Sequence, residues 1–196
     1  MTLANKVTIG RILLIPVFVV GLVYYRRSGE EWHRWLALTT FLTAAISDGL
    51  DGWIARRFHQ RSQLGAMLDP LADKLLLLAA LILLSRSGVP HLPALPLWLV
   101  ATILSRDAIL VLGLAVIHFT CGHVAVIPRL TGKAATFLQM VMVVLTLADV
   151  WPSARNVLAV VTLLVTVVSG LQYSRDGLLQ LGANPKSGPD SPKPSP

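Results

Sequence analysis

The sequence predicts an all-α integral membrane protein, a bundle of six transmembrane helices with both termini in the cytoplasm. Three observations carry that prediction. Of the 196 residues, 54% are hydrophobic and only 14% charged, with a mean hydropathy of +0.66; a soluble domain is typically about 45–50% apolar and about 25% charged. Six apolar runs approach the ~20 residues that cross ~30 Å of hydrocarbon. The basic residues flank those runs, so the net charge of +7 suits anionic lipid headgroups and no nucleic-acid partner is expected. A single cysteine, Cys121, excludes an internal disulfide framework and a cysteine-built zinc site.

The first span is expected at Val7–Tyr25. Pro16 is tolerable there because neighbours in a bundle can satisfy the carbonyl it frees. Lys6 and Arg11 ahead of the apolar run imitate a secretory signal, but Tyr24-Tyr25-Arg26-Arg27 follows in place of a small-residue cleavage site, so a retained span is expected. The second span is expected at Trp32–Leu50 and the third at Leu68–Leu84. Pro90, Pro93 and Pro96 interrupt the chain around the start of the fourth, Ala94–His118. Pro128 and Gly132 precede the fifth, Lys133–Val150, and Trp151-Pro152-Ser153 separates it from the sixth, Asn156–Tyr173. Residues 1–175 then form one membrane domain and 176–196 a short cytoplasmic tail. Its portion Gly182–Pro196 is rich in Pro, Ser, Gly and Lys, has no apolar anchor and reads as disordered.

Six crossings put both termini on one side, and the basic residues choose which. Lys6, Arg11, Arg56, Arg57, Arg61, Lys74, Arg129, Lys133, Arg175, Lys186 and Lys193 fall on the terminal side; Arg26, Arg27, Arg34, Arg86 and Arg155 fall opposite. Eleven against five places the termini, and the Arg56–Arg61 loop with them, in the cytoplasm.

Four of the ten acidic residues, Asp48, Asp51, Asp69 and Asp73, lie within 26 residues where the second run ends and the third begins. The uncharged stretches there, Trp35–Ser47 and Leu75–Ser85, are too short to span alone, so the helices must extend into the acidic segments. Ionisable groups at that depth are costly and are functional candidates. Asp48 and Asp51 are spaced i,i+3, and Asp69 and Asp73 i,i+4, so each pair shares a helix face. Four carboxylates gathered in a low-dielectric site need cations to stay ionised, and a donor set of carboxylate oxygens selects Mg²⁺ or Mn²⁺ over zinc. Two such ions suit phosphoryl chemistry, with Arg56 and Arg57 as fixed positive charge. Two other readings stand beside this one: helix-end charges paired with neighbouring Arg and Lys, and the cation pathway of a small transporter.

Taken together, Asp48-Gly-Leu-Asp51-Gly52-Trp-Ile-Ala55-Arg56, then eight residues, Gly65, three residues, Asp69, three residues and Asp73 resemble the signature of the CDP-alcohol phosphatidyltransferase family at every defined position. The resemblance extends over residues ~3–175. It implies an enzyme that displaces CMP from a CDP-linked lipid, CDP-diacylglycerol, with an alcohol, using Mg²⁺ or Mn²⁺, and that forms a homodimer. It further implies Asp48, Asp51, Asp69 and Asp73 as metal ligands, Asp73 also as general base, and Gly52, Ala55, Arg56 and Gly65 at the cytidine nucleotide.

Asn5-x-x-Thr8-x-x-Arg11 is similar to the amino-terminal pattern of the branch of that family that makes phosphatidylglycerophosphate or, in CMP-forming cardiolipin synthases, cardiolipin; it adds Asn5 and Thr8 to the CDP-lipid site. Arg106-Asp107 and Gly132-Lys133-x-x-Thr136-x-x-Gln139 fit the same branch. Arg106, inside an apolar run, needs a partner; Asp107 beside it is not on the same helix face, which leaves an anionic ligand or an ion pair to another helix. Lys133 at a helix start can meet a phosphate beside free amides. Arg11, Arg106 and Lys133 are therefore the expected acceptor-phosphate residues, with sn-glycerol 3-phosphate as acceptor. The branch pattern has a second arginine a turn or two beyond the first in the fourth helix, and none occurs here before His118, which keeps phosphatidylglycerol in view as the alternative acceptor.

Overall fold

The computed structural model describes residues 3–58, 63–86, 92–121 and 129–183, and side chains over 9–47, 72–86, 92–117, 119 and 129–179. The described residues form six helices: α1 (Leu3–Ser28), α2 (Glu31–Phe58), α3 (Gln63–Ser85), α4 (Leu97–Cys121), α5 (Leu130–Ala148) and α6 (Pro152–Ala183). All six expected elements are present, and the differences lie at their ends. α2 and α3 run on through the acidic segments, as the shortness of their uncharged stretches requires. α4 starts at Leu97 instead of Ala94 because Pro96 turns the chain in, its carbonyl accepting from the amides of Leu99 and Val100. α6 starts at Pro152 instead of Asn156, since proline is favourable in a first helical turn, where its missing N–H costs nothing. It also continues past Tyr173 to Ala183, because no proline or glycine pair interrupts residues 174–181. Residues 176–183 of the expected tail are thus helical, and 184–196 lie outside the described residues.

Two tight turns fix neighbouring helices antiparallel. Between α1 and α2, Gly29 adopts φ 70° and its amide donates to the Tyr25 carbonyl at 2.8 Å. Between α5 and α6, Asp149 takes the left-handed conformation at φ 52°, ψ 42°, and its carboxylate accepts from Arg155 at 3.0 Å, so the strained residue also anchors the start of α6.

The helices form two groups. α1 packs against α2 and α3, α6 packs against α4 and α5, and α5 touches α2 and α3 to join the two. Phe18 on α1 meets Phe41 on α2 with ring centroids 5.7 Å apart. Leu76 and Leu81 of α3, Leu99 and Ile103 of α4, and Val143 and Leu147 of α5 complete a continuous buried core. Large apolar side chains also point outward, among them Leu13, Leu112, Phe119, Phe137 and Leu164, an arrangement suited to lipid and costly in water. Among the described residues, four helices are long and apolar enough to cross a membrane: Ile9–Ser28, Leu97–Ile117, Leu130–Ala148 and Pro152–Leu179.

Candidate active site

An open cavity of about 440 Å³ lies where α3, α4, α5 and α6 come together, and Asp73, Lys74, Arg106, Arg129, Lys133 and Tyr173 line it. Each group arrives from a different place in the sequence. Asp73 and Lys74 come from α3, Arg106 from within α4, Arg129 and Lys133 from the beginning of α5, and Tyr173 from the far part of α6. The last aspartate of the acidic motif thus shares a cavity with two of the three expected phosphate-binding cations.

Arg106 is the most constrained of these groups. Its side chain is 8% exposed, and one guanidinium nitrogen donates to Asp107 at 2.7 Å while another donates to the buried hydroxyl of Ser169 at 2.8 Å. The guanidinium also lies 5.5 Å from the centre of the Tyr173 ring, a cation–π distance. The expectation that Asp107 cannot partner Arg106 is therefore corrected. Adjacent helical positions diverge at Cβ, but an arginine stem is long enough to bend back to its neighbour's carboxylate. Asp107 serves a second cation as well: its other oxygen accepts from Lys74 at 2.7 Å, so one carboxylate ties α3 to α4. Arg106 Nε is buried and has no hydrogen-bond partner.

Glycines make the room. A Cβ on Gly132 would stand 2.9 Å from the Tyr173 hydroxyl and 3.3 Å from Arg106 Nη2, and one on Gly170 would stand 3.2 Å from Arg106 Cγ. Any larger residue at position 132 would push the tyrosine and the arginine apart.

Arg129, the residue that caps α5, is held by both oxygens of Asp176 at 2.7 Å each. That hydrogen-bonded carboxylate keeps the guanidinium above its ordinary pKa. It also offsets the unfavourable placing of a cation at the positive end of a helix. Lys133 differs from the other three cations: among the described residues its ammonium makes no ion pair. The cavity wall therefore carries four cations whose described carboxylate partners are Asp107 and Asp176, and Lys133 is the one left exposed toward the opening.

A family model for the CDP-alcohol phosphatidyltransferases matches residues 1–168. The chain belongs to the CDP-alcohol phosphatidyltransferase family. It is 35% identical over 184 residues to a Mycobacterium tuberculosis protein named "Probable phosphatidylglycerophosphate synthase", covering 92% of this chain and 83% of that one. It is 32% identical over 189 residues to a Bacillus subtilis CDP-diacylglycerol–glycerol-3-phosphate 3-phosphatidyltransferase, covering 87% and 92%. A CMP-forming cardiolipin synthase of Streptomyces coelicolor is 34% identical over 140 residues, covering 71% and 62%. Membership of a transferase family answers the cation-transporter alternative.

Within the family's motif, backbone and side chains are known to different depths. Asp48, Asp51, Gly52, Ala55 and Arg56 lie on α2, and Gly65, Asp69 and Asp73 on α3, so both aspartate pairs fall on helices at the spacing that shares a face. α2 and α3 touch. The side chains of Asp48, Asp51, Ala55, Arg56 and Asp69, and those of Asn5 and Thr8 on α1, lie outside the described residues. The donor set fits a hard divalent cation: four carboxylates and no histidine or cysteine between residues 48 and 73 apart from His59. Among the described residues there is no group of three or more such ligands.

Of the expected acceptor-phosphate residues, Arg106 and Lys133 meet at the cavity with Asp73. Arg11 does not line it; it is buried at 1% exposure on α1, the helix that packs against α2 and α3. Arg129 and Tyr173 were not singled out by sequence. Arg129 stood only in the charge count and Tyr173 only as the end of a span, and their sole sequence signal is the Tyr173–Asp176 spacing, which puts both on one face of α6.

Proposed function

We propose that the chain transfers the phosphatidyl group of CDP-diacylglycerol to sn-glycerol 3-phosphate, giving phosphatidylglycerophosphate and CMP. The single observation that carries this reading is the cavity in which Asp73 meets Arg106 and Lys133. A carboxylate able to take a hydroxyl proton lies there beside cations able to hold a phosphate, the two ends of this acceptor. The relatives named for the same reaction over most of their length support it further.

In this reading Lys133 and Arg106 hold the acceptor's phosphate and turn its hydroxyl toward Asp73. The Asp73 carboxylate takes the hydroxyl proton. The oxygen forms a bond to the phosphatidyl phosphorus, the pyrophosphate P–O bond breaks, and CMP leaves. Gly52, Ala55, Arg56 and Gly65, with Asn5 and Thr8, receive the CDP-lipid. Asp48, Asp51, Asp69 and Asp73 would hold Mg²⁺ or Mn²⁺, two per site, whose charge when bound offsets that of the pyrophosphate. α2 and α3 cross the bilayer with the other four helices, giving six spans in a membrane domain of residues 1–175. Both termini and the active site face the cytoplasm, and the protein is a homodimer.

The acceptor is decided by an assay in detergent with labelled CDP-diacylglycerol, offering sn-glycerol 3-phosphate and phosphatidylglycerol separately and reading CMP release. Turnover with glycerol 3-phosphate is expected. The second reading, cardiolipin synthesis, is favoured by the cardiolipin synthase among the relatives and by the lack of a second arginine between Arg106 and His118. Consumption of phosphatidylglycerol alone would establish it. Excess chelator should abolish turnover, with Mg²⁺ or Mn²⁺ but not Zn²⁺ alone restoring it, because the motif offers oxygen donors.

A further inference from the structure

The geometry points to Tyr173 as a specificity-determining residue of the acceptor site, its phenolic O–H donating to the phosphate of the acceptor; the inference rests on the reading above and adds a group from α6 to it. Three features place the hydroxyl. The ring lies against the Arg106 guanidinium with its centre 5.5 Å away. The phenolic oxygen accepts from the Arg129 amide at 3.4 Å, a long bond that holds it loosely at the start of α5. Gly132 leaves the oxygen its position, since a Cβ there would come within 2.9 Å.

The oxygen is thus used as an acceptor, while its hydrogen has no acceptor among the described residues. Tyr173 lines the cavity together with Arg106 and Lys133. A neutral donor adds what the cations lack. Arg106 spends two nitrogens on Asp107 and Ser169, and Arg129 spends both of its paired nitrogens on Asp176. Lys133 supplies charge but, as an exposed ammonium on a long stem, little direction. A phenol held between two helices supplies direction. The ligand chemistry is a phosphate, whether of a small phosphomonoester or of a lipid phosphodiester.

Tyr173→Phe keeps the ring on Arg106 and removes the hydroxyl, both the proposed donor and the acceptor of the long bond from the Arg129 amide. A hydrogen bond to a charged group is worth roughly 10-fold or more in binding. Isothermal titration calorimetry of the full-length protein in detergent with Mg²⁺, using sn-glycerol 3-phosphate and then inorganic phosphate as probes, should show Kd for both rising by roughly 10-fold or more in the variant. Steady-state assays should show the acceptor KM rising likewise, with the KM for CDP-diacylglycerol within about two-fold and the melting temperature unchanged. Gly132→Ala, whose Cβ would crowd the hydroxyl at 2.9 Å and Arg106 Nη2 at 3.3 Å, should act in the same direction and serves as the second variant if Tyr173→Phe does not fold.

Binding and KM within two-fold of wild type in Tyr173→Phe, while Lys133→Ala loses both, would overturn the inference, as would a wild type that binds neither probe and whose KM for neither acceptor moves in the variant. If phosphatidylglycerol is the acceptor used and its KM carries the shift, the role of Tyr173 stands and the glycerol 3-phosphate reading falls. If phosphate binding shifts but neither acceptor releases CMP, the seat stands and the proposed reaction falls.

Discussion

Asp73 joins two parts of the molecule that are far apart in sequence. It ends the acidic motif on α3, and it lines the cavity whose other walls come from α4, α5 and α6. If Asp73 both holds metal and takes the proton, as proposed, its mutant should differ from those of the other aspartates. Asp73→Asn keeps the volume and one coordinating oxygen but cannot take the hydroxyl proton, so kcat should fall by ~10²–10⁴ at every Mg²⁺ concentration, with CDP-diacylglycerol still bound. Asp48→Asn should shift the metal dependence, so that added Mg²⁺ partly restores the rate. Rates measured across a Mg²⁺ titration check both, and an Asp73→Asn enzyme within a few-fold of wild type removes the base assignment. The neighbouring cations separate in the same way. Lys133, exposed and without an ion pair among the described residues, is free to serve a ligand, so Lys133→Ala should raise the acceptor KM with little effect on the KM for CDP-diacylglycerol. Arg106 is bound into helix packing, so its loss should cost folding as well as binding: the buried Ser169 hydroxyl would lose its partner and half-buried Asp107 would keep only Lys74.

At the scale of elements, α1 and α2 approach backbone to backbone at Gly21. A Cβ on Gly21 would meet the His33 carbonyl at 3.4 Å and the Ala37 amide at 3.5 Å, both backbone atoms that cannot swing aside. Gly21→Ala should be tolerated, because those are ordinary contact distances, whereas Gly21→Leu should wedge the helices apart. Overpacking of this kind typically costs about 1–3 kcal/mol. Thermal unfolding in one detergent should show a lowered melting temperature for leucine and little change for alanine; an unchanged leucine variant would mean the pair is looser than its geometry. How legible the elements were follows from the same local physics. Apolar runs broken by Pro90, Pro128 and Pro152 announced six helices, because prolines and net hydropathy act within a few residues of themselves. The acidic motif announced its placing on helices because i,i+3 and i,i+4 spacing puts each pair on one helix face. The Arg106–Asp107 pair was misjudged because spacing at Cβ says little about where a long side chain ends. Arg129, Tyr173 and Asp176 were silent because their association is made only when α6 packs against α5, 44 to 47 residues away in sequence.

The whole molecule sorts its charges along the direction of the helices. Arg26, Arg27, Arg34 and Arg155 cluster around the α1–α2 and α5–α6 turns, where Arg26 donates to the Leu83 carbonyl at the end of α3. Asp73 and Lys74, near the middle of α3, and Arg129 and Lys133, at the start of α5, gather around the cavity. That sorting is the one the positive-inside rule reads, since the larger share of Lys and Arg is retained in the cytoplasm. If the cavity faces the cytoplasm as proposed, both substrates should reach it from the side on which the cations stand. With Cys121 replaced by serine, single cysteines at Ser28 and Ser153, which lie at the two turns, should react with a membrane-impermeant thiol reagent on intact cells. A cysteine at Ser191 should react only after permeabilisation. Labelling of position 191 from outside would invert the topology and with it the side from which the acceptor arrives. Labelling of Ser28 but not Ser153 would mean that one pair of helices fails to cross.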